Sequence, residues 1–220
     1  MQEPISFFTS FNFNDLWFLS EAALRTLWIS LISISIGTLL GCIFGWLQHE
    51  SKRLAGILIS PVLDIFRSVP LIIQLVLFYN FAPIVGLHLD PFYSGVVILT
   101  LYTASLVSNV ARAGIESVPL PMRKASRSLG LTYWQDMIHV VFPIGGRAVF
   151  PSWIGVVLGV MKDSALVSVL GYVELLKASQ ILITRTQEPL LILGLAGLFY
   201  FALSYPISMY ASKFEQRWAK

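Results

Sequence analysis

The stretch ESVPLPMRKASRSLGLTYWQDMIHVVFP, residues 116–143, is polar and basic, although the chain on both sides of it is strongly apolar. Its apolar residues recur at near-helical spacing and are interrupted by Gly130, a residue type that favours turns. This pattern predicts a short helix, a glycine turn and a second helix that ends near Pro143. The apolar positions are Leu120, Ala125, Leu129, Trp134, Met137, Ile138 and Val141.

The segments that flank this stretch are apolar enough to cross a membrane. Of the 220 residues, 56% are hydrophobic and only 12% are charged, whereas soluble domains carry about 25% charged residues. Five runs approach the ~20 residues that an α-helix needs to span the hydrocarbon layer. The sequence therefore predicts an all-α integral membrane protein, a single domain of five spans over residues 1–220, with 112–147 as a long helical loop. The runs are 26–49, 55–81, 91–111, 148–171 and 189–212.

The basic residues predict how these spans are oriented. When the ends of the runs are assigned alternately to two sides, one side receives most of the cations, and the positive-inside rule makes that side cytoplasmic. The N-terminus is then outside and the C-terminus inside, and the net charge of +3 requires no nucleic-acid partner. Residues 1–19, rich in Phe and Trp, are predicted to lie at the outer interface. The cytoplasmic set is Lys52, Arg53, Arg112, Arg123, Lys124, Arg127, Arg147, Lys213, Arg217 and Lys220, and the outer set is Arg25, Lys177 and Arg185.

Small residues recur at every fourth position of the first run, at Ser33, Gly37, Gly41 and Gly45. This spacing places them on one face of a helix, where they allow another helix to approach closely. The neighbouring helix belongs either to the same chain or to a second subunit, and the sequence favours neither.

Polar residues inside the second run are candidates for a substrate pathway, because ionisable side chains in a membrane are costly. If the helix begins at Ile57, Arg67 lies ~15 Å along it, close to the middle of the bilayer. Asp64 is one turn earlier on the same face, and Pro70 frees the carbonyl of Phe66, which predicts a kinked or unwound helix. The alternative is that the charges are only structural pairs.

Further pathway candidates lie in the later runs. Lys162, Asp163 and Ser164 form a second polar cluster, with the same alternative of structural pairing. In the third run a polar stripe shares one helical face, and Asn109 near its cytoplasmic end suits a gating role. The predicted pathway residues are Asp64, Arg67, Gln74, Tyr102, Ser105, Asn109, Lys162, Asp163 and Ser164.

Enzymatic function is disfavoured by the absence of the necessary motifs. The sequence has no GxxxxGK followed by Ser or Thr, no nucleophile with a general base, and no Cys/His cluster for a metal. Its single cysteine, Cys42, excludes an internal disulfide. The chain is thus predicted to bind no cofactor or metal itself.

Two alternative functions are an ion-coupled secondary transporter, with Asp64 and Asp163 as coupling sites, and a scaffold that does not transport. From composition alone, residues 116–143 are either an amphipathic helix bound to lipid or a docking element for a partner protein.

The residue pattern of the loop resembles the EAA loop of ABC importer permeases, in which a short coupling helix fits a cleft in the ATPase subunit. The family pattern is E-A-A, three residues, G and a distant proline, and it appears here as KAS at 124–126, Gly130 and Pro143. The segments FRSVPLIIQL, YTASLVSNVARAG, ARAGIESVP, SLGLTYWQ and KDSALVSVLGYVELL resemble, in matching order, the polar amino acid permeases of the histidine/glutamine/glutamate type. The resemblance runs from about Arg25 to the C-terminus.

This resemblance implies a type I ABC importer permease fold in a bacterial inner (plasma) membrane. It implies as partners a cytoplasmic ABC ATPase dimer that binds ATP and Mg²⁺, a second identical or similar permease subunit, an extracytoplasmic amino-acid-binding protein and membrane lipid. The expected cargo is an acidic or neutral polar amino acid. The implied ATPase-coupling residues are Arg123, Lys124, Ala125, Ser126, Leu129, Gly130 and Pro143.

Four positions depart from the family pattern. The usual Glu of EAA is Lys124, its last Ala is Ser126, a usual Gly is Pro121, and a usual Glu in the third span is Asn109. The charge reversal at Lys124 suggests a particular ATPase partner rather than a generic one.

Overall fold

The computed structural model of the chain describes residues 10–51 and 55–218, and all regular structure in these two ranges is helical. A π-helical turn, Ala55–Ile59, leads into α2, and the 3₁₀ turns Ala82–Val85 and Ser164–Leu170 follow α3 and α7. A second π-helical turn, Met137–Val141, joins α6 to α7. The helices are α1 Phe13–Glu50, α2 Ser60–Ser68, α3 Leu71–Phe81, α4 Pro91–Glu116, α5 Leu120–Ser128, α6 Tyr133–Asp136, α7 Phe142–Asp163, α8 Leu175–Thr186 and α9 Pro189–Trp218.

Four helical runs in the described ranges are long and apolar enough to cross a membrane: Phe13–Glu50, Pro91–Glu116, Tyr133–Leu170 and Pro189–Trp218. A fifth candidate span is broken into Ile57–Ser68 and Leu71–Val85, which meet at 108°. This arrangement confirms the predicted all-α membrane protein and agrees with five spans when the bent pair is one of them. The run 26–49 proves to be part of a longer helix that begins at Phe13. Residues 1–9 of the predicted interfacial segment lie outside the described ranges.

The broken span follows from Pro70, as the sequence predicted. Proline has no N–H to donate and disfavours helical geometry in the residue before it, and α2 ends with Val69 in an extended conformation (ψ 132°). The carbonyl groups freed at the break are not left unpaired, because Gln74 Nε2 donates to the carbonyl oxygens of Phe66 at 2.9 Å and Val69 at 2.7 Å. The amide of Gln74 therefore stabilises the corner.

One prediction about a helix end is wrong, and one helix was not predicted. The second helix of the loop does not end near Pro143, because Tyr133–Leu170 is a single helical run. Pro143 enters this run directly after the π turn Met137–Val141, where the hydrogen-bond register already shifts and a missing N–H is tolerated. The helix that was not predicted is α8, which lies between the fourth and fifth spans.

The small residues of α1 pack within the chain, against α4. A Cβ on Gly37 would lie 2.5 Å from Thr103 Cβ, and one on Gly45 would lie 2.5 Å from the carbonyl oxygen of Ser108. These approaches are shorter than any side chain allows, so the two helices are in contact through their backbones. The choice between an intrachain and an intersubunit contact is thereby settled in favour of the first.

We expect Gly41→Leu to destabilise the protein by overpacking this seam. A Cβ at position 41 would already lie 2.6 Å from Val107 Cβ, and overpacking a core by even one methylene costs about 1–3 kcal/mol. The melting temperature of the detergent-solubilised protein should fall clearly. Gly197→Leu is the control, because a Cβ at position 197 meets no atom within 4 Å. Equal melting temperatures for the two variants would contradict the seam.

Candidate functional site

The first candidate site is α5 together with the turn that follows it, hereafter the coupling helix. The helix ends at Ser128, and Gly130 adopts a left-handed conformation (φ 88°) in which its N–H reaches the carbonyl of Arg127 at 3.0 Å. The next residue, Leu131, donates to the carbonyl of Ser126 at 3.3 Å. The predicted short helix and glycine turn are therefore confirmed.

One face of the coupling helix is fixed to the transmembrane part by Asp136. This aspartate is buried, at 1% exposure, and accepts hydrogen bonds from the Ser126 hydroxyl and from Arg123 Nε at 3.1 Å. The same guanidinium lies 3.4 Å from Nε2 of His49, near the end of α1. A buried carboxylate needs such donors, so the network holds α5 against α1 and α6.

A second contact joins α1 to α6. Trp46 Nε1 donates to the Tyr133 hydroxyl at 2.8 Å, and that hydroxyl donates to Glu50 Oε1 at 2.7 Å. The rings of Trp46 and Trp134 lie 5.5 Å apart. Below them a small apolar cluster, which includes Met137, closes the contact. The loop is therefore a folded extension of the spans.

The opposite face of the coupling helix is open. Leu129 is 82% exposed, and Lys124, Ala125 and Gly130 are exposed beside it. Arg127 is also exposed and, like Lys124, forms no ion pair within the described ranges. The predicted coupling residues thus divide into two groups: Arg123 and Ser126 anchor the helix, whereas the others form an apolar and cationic surface. Pro143 lies apart from both groups, in the first turn of α7.

The second candidate site is the corner of the broken span. Arg67 Nη2 and Asp64 Oδ1 are 2.7 Å apart, and the arginine side chain is mostly buried whereas Asp64 is exposed. Gln74, the third predicted pathway residue here, is buried and occupied by the two backbone carbonyls. On the inside of the corner an apolar cleft of about 460 Å³ is lined by Gln74 and by side chains of both arms. The predicted ion pair therefore exists, but of the three predicted residues only Gln74 lines the cleft.

The candidates of the third and fourth spans are only partly brought together. The side chains of Tyr102 and Asp163 lie near each other, which brings α4 close to the end of α7. Lys162 is exposed and has no ion pair in the described part of the chain. Neighbouring residues on a helix do not face each other, so the alternative of a structural Lys162–Asp163 pair is not supported.

Two serines that were predicted to line a pathway lie instead in the packed interior. The Ser105 hydroxyl donates to the Tyr102 carbonyl at 2.7 Å, and that of Ser164 lies 3.0 Å from the Ser30 hydroxyl in α1. Both residues are fully buried. Asn109 and Arg112 are exposed, and Arg112 Nε is 2.8 Å from Glu116 Oε1. Within the polar stripe, Asn109 is therefore exposed whereas Ser105 is buried.

Glu174, a fully buried acid at the start of α8, was not predicted from the sequence. Its carboxylate accepts hydrogen bonds from the backbone N–H groups of Leu176 and Lys177, from Tyr200 and from Thr26. Burial raises the pKa of Glu174, and these hydrogen bonds act in the opposite direction. Glutamate is not among the preferred N-cap residues, so no local signal identified it. Asp136 was missed as well, although an acid on an apolar helical face was a visible signal.

Comparison with known proteins identifies the architecture. The family model for the inner membrane component of binding-protein-dependent transport systems matches residues 37–220. The probable glutamine ABC transporter permease protein GlnP of Bacillus subtilis is 28% identical, over 97% of this chain and 99% of its own length. The glutamine transport system permease protein GlnP of Escherichia coli K12 is 25% identical, over 94% and 97%.

Solved structures agree with these relatives. The crystal structure of an amino acid ABC transporter with histidines contains a chain that superposes with a TM-score of 0.83 at 26% identity, covering 95% of this chain and all of that one. An inward-facing methionine transporter, MetNI, shares the fold, with a TM-score of 0.77 at 20% identity and coverage of 94% and 99%. The type I permease fold and the resemblance seen in the sequence are confirmed. The chain is a multi-pass membrane protein that belongs to the family of binding-protein-dependent transport system inner membrane components.

Proposed function

We propose that this chain is the pore-forming permease subunit of an ATP-driven importer that carries polar amino acids across the inner membrane of a bacterium. The observation that carries the proposal is the coupling helix, which is fixed to the spans on one face and open on the other. Leu129 is 82% exposed and lies beside Lys124 and Arg127, cations that form no ion pair within residues 10–51 and 55–218, which supports a role of this face in docking. A secondary transporter has no use for such a surface.

The partners follow from this assignment. A dimer of cytoplasmic ABC ATPase subunits receives the coupling helices, and an extracytoplasmic binding protein delivers the amino acid. Two permease subunits, identical or similar, enclose the passage between them. ATP and Mg²⁺ bind to the ATPase, where hydrolysis supplies the energy. The role of this chain is mechanical, since Asp136 and Arg123 transmit movement of the coupling helix to α1 and α7.

The cargo we propose is a neutral polar amino acid of the glutamine type. Two relatives are described as glutamine permeases, and the Asp64–Arg67 pair offers groups of both signs, as the ammonium and carboxylate of an amino acid require. Asp64 is exposed, so the pair is accessible from the side of the aspartate. Acidic amino acids remain a second candidate, since Arg67 suits a carboxylate.

We expect Arg67→Ala to raise the substrate concentration for half-maximal uptake about tenfold or more, because a charge-assisted hydrogen bond contributes about 1.5–3 kcal/mol. The measurement is ATP-dependent uptake of labelled glutamine by vesicles that contain the purified complex. Co-purification of the ATPase should not change. Arg25→Ala is the matched control, because Arg25 also pairs with an acid in its own helix, Glu21, but is exposed on α1. Unchanged uptake kinetics in Arg67→Ala would remove Arg67 from the pathway.

The same vesicles test the proposal as a whole. We expect uptake to require ATP, the co-purified ATPase and the binding protein. Uptake that persists without the ATPase and collapses when a proton or Na⁺ gradient is dissipated would establish the secondary transporter instead.

A further inference from the structure

An aromatic cluster lies between α7 and α9, at the end of the molecule that also carries the coupling helix. Phe150 lies 5.0 Å from Trp218, 6.2 Å from Phe214 and 6.0 Å from Trp153, measured between ring centroids. Both Phe214 and Trp218 are more than two-fifths exposed. Aromatic side chains of this kind are enriched where the hydrocarbon layer meets the headgroups.

Three cations lie on the same two helices as the cluster. The guanidinium carbon of Arg147 is 5.9 Å from the centre of the Trp218 ring, and Lys213 Nζ is 5.7 Å from that of Tyr210. Arg217 is one turn beyond Lys213 on α9, and all three cations are exposed. These contacts with rings orient the side chains without neutralising them.

The three cations have no acidic partner within residues 10–51 and 55–218, since no ion pair there includes any of them. The nearest acid along the chain, Glu215, is two residues from both Lys213 and Arg217. On a helix that separation corresponds to about 200°, so Glu215 lies on the opposite side of α9 from Lys213 and Arg217. Glu215 is three residues before Trp218, the ring beside Arg147, and therefore shares that face of the helix. The surface thus carries a net positive charge, and two of its three cations lie away from the acid.

An apolar groove begins next to this surface. It has a volume of about 400 Å³ and is lined by α1, α7 and α9, including Trp153, Ile154, Val157 and Ile207. Trp153 belongs to both features, because its ring contacts Phe150. A cationic patch at the membrane surface thus continues into an apolar channel along the helices, which is the chemistry of a phospholipid.

We propose that Arg147, Lys213 and Arg217 bind the phosphodiester headgroup of an anionic phospholipid of the cytoplasmic leaflet, with an acyl chain against Trp153 and the groove. The charges favour an anionic lipid over a zwitterionic one, since each cation near the surface contributes about 1 kcal/mol. The site lies apart from the coupling helix and from the broken span. It concerns the lipid requirement of the complex and is independent of the amino acid carried.

The test is a titration of the intact detergent-purified complex with phosphatidylglycerol, followed by native mass spectrometry. The variant Arg147→Gln with Arg217→Gln should bind phosphatidylglycerol roughly thirtyfold more weakly than the unmodified complex, at about a factor of five for each cation. Phosphatidylethanolamine should bind both proteins weakly and equally. Adding Lys213→Gln should weaken phosphatidylglycerol binding by a further factor of about five.

Arg25→Gln with Lys177→Gln is the matched control, because it removes two positive charges from the other side of the protein. This control should bind phosphatidylglycerol as the unmodified complex does. Equal affinity in the unmodified complex, the double variant and the control would overturn the proposal, and so would equal binding of the two lipids. If phosphatidylglycerol does not bind and the neighbouring permease subunit protects Lys213 from amine acylation, the surface is a subunit contact and the lipid proposal is wrong.

Discussion

Asp136→Ala is expected to abolish ATP-driven uptake while the permease still inserts into the membrane. The change leaves Arg123, whose side chain is only 16% exposed, without its carboxylate. Removing one partner of a buried ion pair costs about 3–5 kcal/mol. A helix of nine residues is marginal without tertiary contacts, so the coupling helix should separate from α1 and α6. Its link to the spans is then lost.

Uptake and ATP hydrolysis measured on the same vesicles check this expectation. Uptake should fall at least tenfold, and backbone amides of residues 120–128 should exchange hydrogen faster. Asp136→Asn should be less severe, because the amide oxygen still accepts from Ser126. Glu188→Ala, which removes an exposed acid from the opposite side, should have no effect. Normal uptake by Asp136→Ala would show that the coupling helix does not depend on its buried anchor.

Gly130→Val should also eliminate transport, through the backbone rather than through a contact. Gly130 has φ 88°, and a Cβ there would meet no atom within 4 Å, so the structure offers space but not a suitable conformation. A non-glycine residue in an unfavourable backbone region costs about 1–3 kcal/mol, and a β-branched one is the worst case. The turn should therefore open and displace Leu129. Co-purification of the ATPase and uptake should both decrease about tenfold or more.

Gly130→Asn distinguishes the effect of backbone conformation at this position from the effect of side-chain size. Asparagine adopts left-handed geometry far more readily than valine, so this variant should retain most of the ATPase and most of the uptake. If asparagine is as damaging as valine, the effect comes from a collision with the partner. If valine is harmless, the turn is not required.

The spans were predictable because their signal is local and strong. Uncharged runs of membrane length identify a helix without knowledge of its neighbours, and Pro70 marks the break because its effect depends only on its own backbone. The small residues of α1 predicted a close helix contact, but the sequence alone did not identify α4 as the neighbour. Partner choice depends on the packing of the whole bundle.

The ends of helices and the buried acids were harder to predict. Pro143 reads as a helix terminator, yet the π turn before it accommodates the missing N–H. Asp136 and Glu174 obtain their hydrogen bonds from residues distant in the chain, such as Arg123 and Thr26. No spacing rule reveals such partners. For the same reason the predicted coupling residues did not separate into anchoring and exposed groups until the fold was known.

The contact between α1 and α4 determines which parts of this protein are able to shift during a transport cycle. Helices that touch through backbone atoms cannot slide past one another without a collision, so this pair has to travel as one rigid unit. Relative movement of helices is then confined to contacts that pack less closely than the one between α1 and α4. The border of α9 has no contact as close as that one at its glycines, since a Cβ on Gly194 or on Gly197 would meet no atom within 4 Å. When the passage opens to one side of the membrane and then to the other, the remaining helices therefore move relative to the α1–α4 pair. The two helices of the pair do not separate.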